Sequence, residues 1–262
     1  MEETIDLKAE VEKIWREPNL EPIPEYLRKH GYCYCNDVLR DGAKILMFGF
    51  NPSFRSGDRE GNGSFSFVKT MSDCRNRSVY PSMKWDTYWS RVSEMLANSS
   101  VNLHNTSVNL HNKTVYWDLF SYREKYQKSL RNKILKPQKN EPCQFVIEHI
   151  QLAQRIAESV KPKLIIIKNK EAWAYFGKYF SNDYCGEGAT GWRWMNYMYS
   201  PVKKVLPGDA EVRIIEGIHS GNVSGLTSTN LVGTKVLFMK HLNQYTKIED
   251  RPTPEMIADL LK

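Results

Sequence analysis

The sequence lacks the features of a membrane or secreted protein. No run of about 18 apolar residues is present, which is the length that a bilayer-spanning helix needs. The acidic start, Met1 to Glu10, does not have the pattern of a secretory signal peptide. With 262 residues and a 41% apolar content, the chain can still build a full core. We therefore expect a soluble, intracellular, cytoplasmic protein with no membrane partner.

Cysteine is scarce, and several common site motifs are missing. Five cysteines make an odd count without disulfide-like density. Cys33-Tyr-Cys35 is a C-x-C pair, but no second Cys/His pair follows at zinc spacing, so buried thiols are favoured over a metal site. The phosphate loop G-x-x-x-x-G-K-[ST] and the nucleophile elbow G-x-S-x-G are both absent. The sequence predicts no cofactor and no metal.

Acidic residues are in the minority. Lys and Arg total 37 against 30 for Asp and Glu, which gives a net charge of +7 and a pI of about 9.0. This excess favours a polyanionic partner such as single- or double-stranded DNA, although many basic proteins bind no nucleic acid. It leaves the oligomeric state open.

One stretch, Lys44 to Ser53 (KILMFGFNPS), organises the rest of the chain. Its apolar run, Ile45 to Phe48, has the length of a strand buried on both faces. Turn-forming residues follow immediately, from Gly49 to Ser53. Ligands of open α/β sheets bind where such strands end, so Asn51 is predicted to lie at a binding mouth. A plain strand-ending turn is the alternative.

Three further apolar runs predict strands, at 114–119, 163–167 and 211–216. Helical patterns lie between them, including 145–160 and 230–242, and an opening helix is expected within 4–16. This order predicts a three-layer α/β/α fold with a central four-stranded parallel sheet. We expect one domain over 1–262, with an N-terminal helical extension of about 1–40. A long polar loop, 54–63, is expected to be functional or mobile.

Polar residues at the predicted strand ends are the candidates for chemistry. They are Asn51, Asp118, Asn169 and His219. If all four strands were parallel, their carboxyl ends would meet at one edge of the sheet. If Asn51 and His219 face each other across one pocket next to Phe65 or Phe67, an enzyme is favoured, and if His219 points into the core, a binding protein is favoured.

These motifs together resemble the uracil-DNA glycosylase superfamily. Gly49-Phe-Asn-Pro52 is similar to the Gly-x-Asn-Pro first motif of the mismatch-specific and single-strand-selective branches. Tyr116 to Arg123 and Pro162 to Trp173 resemble the family's second and third strands with the loops that follow. Ile218 to Gly221 stands where the family carries His-Pro-Ser. The resemblance covers about residues 40–245 and depends on motif order and spacing.

The resemblance implies cleavage of the N-glycosidic bond of a damaged or deaminated base, such as uracil, flipped out of DNA. Asn51 would position the attacking water, and His219 would hydrogen-bond the carbonyl oxygen of the departing base. Phe65 or Phe67 would stack on that base. The remaining predicted contacts are Gly49, Phe50, Pro52 and Asp118 with the substrate and Ser53, Ser220, Asn222 and Leu226 with DNA, where Leu226 would act as a wedge.

Two departures from the family pattern keep a second function open. Ser-Gly-Asn follows His219 where the family has Pro-Ser-Pro, and Asp118 stands where the family often has Asn. An ionised Asp only accepts hydrogen bonds, so it suits a base that presents donors. The alternative is a catalytically inactive protein of the same fold that binds DNA or nucleotides.

Overall fold

The architecture was obtained as a computed structural model, which describes residues 5–79, 87–97, 99–103, 106–126, 129–135, 143–178, 194–242 and 245–262. The helices are α1 (Leu7–Ile14), α2 (Glu25–His30), α3 (Phe67–Val79), α4 (Thr87–Met95), α5 (Gln144–Val160), α6 (Lys170–Trp173) and α7 (Pro254–Asp259). The strands are β1 (Cys33–Cys35), β2 (Ile45–Gly49), β3 (Gly63–Phe65), β4 (Ser99–Leu103), β5 (Thr106–Val108), β6 (Thr114–Asp118), β7 (Leu164–Ile167), β8 (Tyr197–Tyr199), β9 (Lys204–Leu206), β10 (Ala210–Ile218) and β11 (Lys235–Phe238).

A seven-stranded mixed sheet forms the centre of the fold. Its order is β6-β2-β7-β11-β10-β8, and β9 also pairs with β10. Strands β6, β2, β7 and β11 run parallel to one another, whereas β10 is antiparallel to β11, β8 and β9. Every residue of β2, β6 and β7 is buried, as expected for strands covered on both faces. The predicted α/β class is confirmed, and so is the strand that begins the organising stretch.

Two parts of the predicted layout are wrong. The strand predicted at 211–216 forms β10, but it is antiparallel, so the sheet is mixed. The helix predicted at 230–242 is instead β11, which inserts between β7 and β10. Val236, Leu237 and Phe238 are almost completely buried there. A short apolar run does not distinguish a buried strand from a buried helix, and here the hydrogen bonds to two neighbouring strands decide the outcome.

A buried hydrogen-bond chain joins the N-terminal region to α5. The Trp15 indole donates to Ser121 Oγ over 2.8 Å, and the Ser121 hydroxyl lies 2.7 Å from His149 Nε2. The other ring nitrogen, Nδ1, is 2.8 Å from the Phe145 carbonyl, which only accepts. His149 therefore donates from Nδ1 and accepts from Ser121 at Nε2. Burial lowers the pKa of His149 to about 4, so the ring is neutral at pH 7.

We expect Ser121→Ala to lower the free energy of unfolding by on the order of 2 kcal/mol, because it leaves a buried acceptor on His149 and an indole donor without a partner. Urea unfolding followed by tryptophan fluorescence measures the loss. Ser56→Ala, an exposed position, is the matched control and should change stability by less than about 0.5 kcal/mol. Equal stability of the two variants would contradict a role for this chain in the core.

Candidate functional site

The register of the parallel strands brings polar residues to one edge of the sheet. Gly49 pairs with Asp118, and Phe48 pairs with Ile167, so Lys168 comes directly after the paired residues of β7. Phe238 also pairs with Ile167, which places the segment after β11 at the same edge. The carboxyl ends of β6, β2, β7 and β11 therefore meet at one edge of the sheet. Ligands of α/β sheets bind at this edge.

A cavity of about 550 Å³ opens at this edge. This volume is within the range of small-molecule sites in proteins. Its lining is Cys33, Gly49, Phe50, Asn51, Pro52, Ser53, Arg55, Asp58, Phe65, Thr70, Trp89, Tyr116, Asp118, Glu124, Lys125, Lys168, Asn169, His241 and Leu242. Seven of the twelve residues that we predicted to contact substrate or DNA are among them: Gly49, Phe50, Asn51, Pro52, Ser53, Phe65 and Asp118.

The turn after β2 fixes the Asn51 amide. Its Nδ2 donates to the Glu124 carbonyl over 2.7 Å and to the Pro52 carbonyl over 3.0 Å. Since both nitrogen contacts are carbonyls, the orientation of the amide is settled, and Oδ1 remains as an acceptor. That oxygen is buried and accepts no hydrogen bond within the described residues. Asn51 is thus a rigid hydrogen-bond acceptor that lines the cavity.

Asp118 is buried at the end of β6. The Tyr116 hydroxyl donates to its Oδ1 over 2.6 Å. Burial raises the pKa of Asp118 to about 6, and the Tyr116 hydrogen bond and the Lys168 charge act in the opposite direction. This carboxyl can therefore exchange a proton near neutral pH.

An aromatic wall borders the cavity. Phe65 lies 5.8 Å from the Trp89 ring and 6.1 Å from the Tyr116 ring, measured between centroids, and all three residues line the cavity. Phe67 does not reach it. Its side chain is only 1% exposed and stacks behind the wall on Tyr116 at 5.7 Å. Of the two predicted stacking residues, only Phe65 has the required position.

The structure places His219 away from the cavity. It is exposed and follows the end of β10, whereas the start of β10, at Glu211, pairs with Phe238 near the cavity edge. Because β10 is antiparallel, its carboxyl end lies at the opposite edge of the sheet. His219 and Asn51 therefore do not face each other across one pocket, which is the arrangement that would have favoured an enzyme.

The three predicted DNA contacts after His219 lie beside it and not at the cavity. Ser220 is exposed. Asn222 is buried and closes the loop, since its Nδ2 donates to the carbonyls of His219 and Leu226 and its Oδ1 accepts from the Leu226 amide. Leu226 lines a separate cavity beside α1 and α5. Their expected place next to Asn51 is wrong for the same reason, the direction of β10.

His241 occupies the position that we had expected of His219. It follows β11, lines the cavity and is largely buried. Burial and the neighbouring Lys168 charge lower its pKa to about 4, so the ring is neutral at pH 7. The only sequence signal was the short apolar run before it, Val236 to Met239, which we had interpreted as part of a helix.

Sequence reasoning also missed Lys168 and Glu124. Lys168 is 2% exposed, and its Nζ lies 5.6 Å and 5.7 Å from the centroids of Tyr116 and Trp89. Its signal was its place directly after the clearest buried strand. Glu124 is 8% exposed, and its carboxylate accepts from the amides of Lys125 and Tyr126.

The loop 54–63 is held against the body of the protein. Arg123 donates to the carbonyls of His30, Arg59 and Gly61 and lies 4.8 Å from the Phe54 ring centroid. Arg55 and Asp58 of this loop line the cavity, and the Arg55 amide donates to Asp58. The loop therefore contributes fixed polar groups to the cavity mouth.

The cavity thiol is poorly suited to nucleophilic catalysis. Burial and the Asp118 charge raise the pKa of Cys33 to about 11, so it remains a thiol at neutral pH. Within the described ranges, His, Cys, Asp and Glu side chains form no group of three able to hold a metal ion. No helix in the part of the chain that the structure describes is long and apolar enough to cross a membrane.

Comparison with protein-family models, curated proteins and solved structures found no match to the chain. The sequence does contain one G-x-G-x-x-G, the dinucleotide-binding pattern, from Gly186 to Gly191. It lies outside the described residues. The described segment before it is α6 and a following turn, so the strand that normally precedes this pattern is not found there.

Proposed function

We propose that the protein is a DNA glycosylase-like hydrolase that cleaves the N-glycosidic bond of a flipped damaged or deaminated base, uracil or a related one. The observation that carries the proposal is the Asn51 amide, which two carbonyls hold in place at the cavity and whose Oδ1 accepts no hydrogen bond from a described residue. The cavity also lies where the carboxyl ends of four parallel strands meet, which is where ligands of α/β sheets bind.

The other cavity groups match the charges that develop in such a reaction. When the bond from C1′ to the base breaks, its electron pair leaves with the base, and water adds to C1′. His241 is a neutral hydrogen-bonding group, and Lys168 is a buried donor, so both suit the negative charge that builds on a base carbonyl. Phe65 supplies a ring for stacking, and Asp118 accepts from an N–H group of the base. In this proposal, His241 takes the role first expected of His219.

A second function rests on a specific observation. Asp118 and Lys168 place two ionisable groups in the buried part of the cavity, which can hold a base or nucleotide tightly without cleaving it. A protein of this kind would bind DNA or nucleotides and release no base.

The decisive experiment measures base release from labelled oligonucleotides that carry uracil, hypoxanthine, xanthine or a mismatch, in single and double strands. We expect release of at least one base, and its identity would show which donors Asp118 selects. Tight binding without release of any base would replace the glycosylase proposal with the binding protein.

We expect the rate of base release to rise as the pH increases through about 6, because Asp118 ionises over this range and only the carboxylate accepts hydrogen bonds at both of its oxygens without carrying a proton. Tyr116→Phe removes the hydrogen bond that lowers the pKa of Asp118, so the midpoint should move to higher pH. Single-turnover rates from pH 5 to 9 provide the measurement. Tyr126→Phe, at an exposed ring, should leave the midpoint in place. An unchanged midpoint in Tyr116→Phe would show that the ionisation of Asp118 does not set the pH dependence of the rate.

We also expect DNA affinity to fall steeply with salt, with a log–log slope of about −0.9 per phosphate contact on duplex DNA. Lys125 is exposed at the cavity rim, so Lys125→Gln should reduce the slope by about one contact. Lys8→Gln, on α1 and outside the cavity lining, is the matched loss of one charge. The slopes of the unmodified protein and of the two variants are measured by fluorescence anisotropy at salt concentrations from about 50 to about 300 mM. If the DNA affinity of the unmodified protein did not change with salt, nucleic acid would not be its partner.

A further inference from the structure

Lys168 is buried at the edge of the sheet where the candidate catalytic residues lie. Lys168 directly follows β7, and its amide donates to the Phe48 carbonyl of β2 over 3.2 Å. The residue is 2% exposed, yet it lines the same cavity as Asn51. Lysine is seldom buried to this degree unless it is paired, and the Lys168 amine lies close to the Tyr116 and Trp89 rings and to the charge of Asp118. The base-release mechanism uses Lys168 only as a hydrogen-bond donor, which leaves its amine chemistry unassigned.

We propose that Lys168 is the nucleophile of a second activity, cleavage of the DNA strand at the abasic site that base release leaves behind. This inference rests on the proposed function for its substrate, a deoxyribose whose C1′ becomes an aldehyde when the sugar ring opens. Lys168 and Asn51 line one cavity, so a sugar that loses its base there would be bound beside both residues.

The chemistry needs no oxidant, reductant or metal. The amine nitrogen adds to C1′, and loss of one water gives an imine. A base then removes a proton from C2′, the electron pair forms the C2′–C3′ double bond, and the C3′–O bond breaks so that the 3′ phosphate leaves as an anion. Addition of water to the conjugated imine returns the lysine amine and releases the unsaturated aldehyde.

The surroundings of Lys168 supply what these steps require. The rings of Tyr116 and Trp89, 5.6 Å and 5.7 Å from Nζ, attract the ammonium form of Lys168 and position it in the cavity. Asp118, whose charge is coupled electrostatically to Lys168, exchanges a proton near neutral pH. Asp118 can therefore accept the proton that the Lys168 ammonium must lose before the amine reacts, and it can carry protons to and from C1′ and C2′.

The test uses full-length protein and DNA with a preformed abasic site, so that it does not depend on base release. Borohydride reduces an imine to a stable secondary amine, and the resulting protein–DNA adduct is resolved on a denaturing gel. We expect the unmodified protein to give the adduct and to cut the strand, and mass spectrometry to locate the adduct on Lys168. A tetrahydrofuran analogue, which has no aldehyde, should give no adduct.

Lys168→Arg keeps the positive charge but removes the amine, so we expect loss of the adduct and of strand cleavage. Lys170→Met, at an exposed lysine outside the cavity lining, should retain both. Thermal unfolding checks that the arginine variant is folded, and the mass-spectrometric assignment in the unmodified protein is independent of that variant.

The outcomes separate the two proposals. Base release without any adduct on abasic DNA would overturn the lysine proposal and leave the glycosylase intact. An adduct that maps to another amine, or that persists in Lys168→Arg, would also overturn it. An adduct on Lys168 without base release from any substrate would support the lyase and reject the glycosylase.

Discussion

Replacement of Asn51 by alanine should lower single-turnover base release by about 100- to 1,000-fold while DNA binding is retained. The variant loses the amide that we assign to positioning the attacking water, and losses of this size follow removal of one preorganised polar group from an active site. It also loses the contacts to the Glu124 and Pro52 carbonyls, so the turn after β2 becomes less fixed. The rate is measured with the base that the oligonucleotide panel identifies.

Asn112→Ala is the matched control. This asparagine is exposed in the turn before β6 and does not line the cavity, so its variant should release the base at the unmodified rate. Anisotropy measurements on the same DNA separate a catalytic loss from a binding loss. Equal rates for Asn51→Ala and the unmodified protein would end the assignment of Asn51.

Gly49→Ala should remove base release and destabilise the fold. A Cβ at this position would lie 1.9 Å from the Tyr116 hydroxyl oxygen and 2.1 Å from Asp118 Oδ1. Both groups are buried and bonded to each other at the end of β6, so they cannot both move aside without breaking that bond. Overpacking in a core typically costs about 1–3 kcal/mol, and here the displaced groups also belong to the cavity.

Gly63→Ala tests whether any glycine-to-alanine change in a strand has this effect. Gly63 is an exposed residue of β3, and a Cβ there meets no atom within 4 Å. Urea unfolding and base release are compared for the two variants. If Gly49→Ala were as stable and active as Gly63→Ala, the close approach between β2 and β6 would not exist in solution.

Strand β2 and the turn after it could be recognised from the sequence alone. The strand is a run of apolar residues that must be buried on both faces, and the turn residues that end it act locally. The same holds for β6 and β7, since Asp118 and Asn169, the polar residues predicted at their ends, both line the cavity. Local pattern was sufficient because each of these strands is buried whatever its neighbours are.

The sequence by itself therefore determined the α/β class, the organising strand and the Asn51 and Asp118 side of the candidate site. Only the tertiary structure decided which histidine lines the cavity. The direction of β10 moves His219 to the far edge, and the insertion of β11 between β7 and β10 brings His241 to the cavity. Neither fact is encoded locally, because the partners that satisfy the backbone of a short apolar run, and the direction in which they pair, belong to residues distant in the chain.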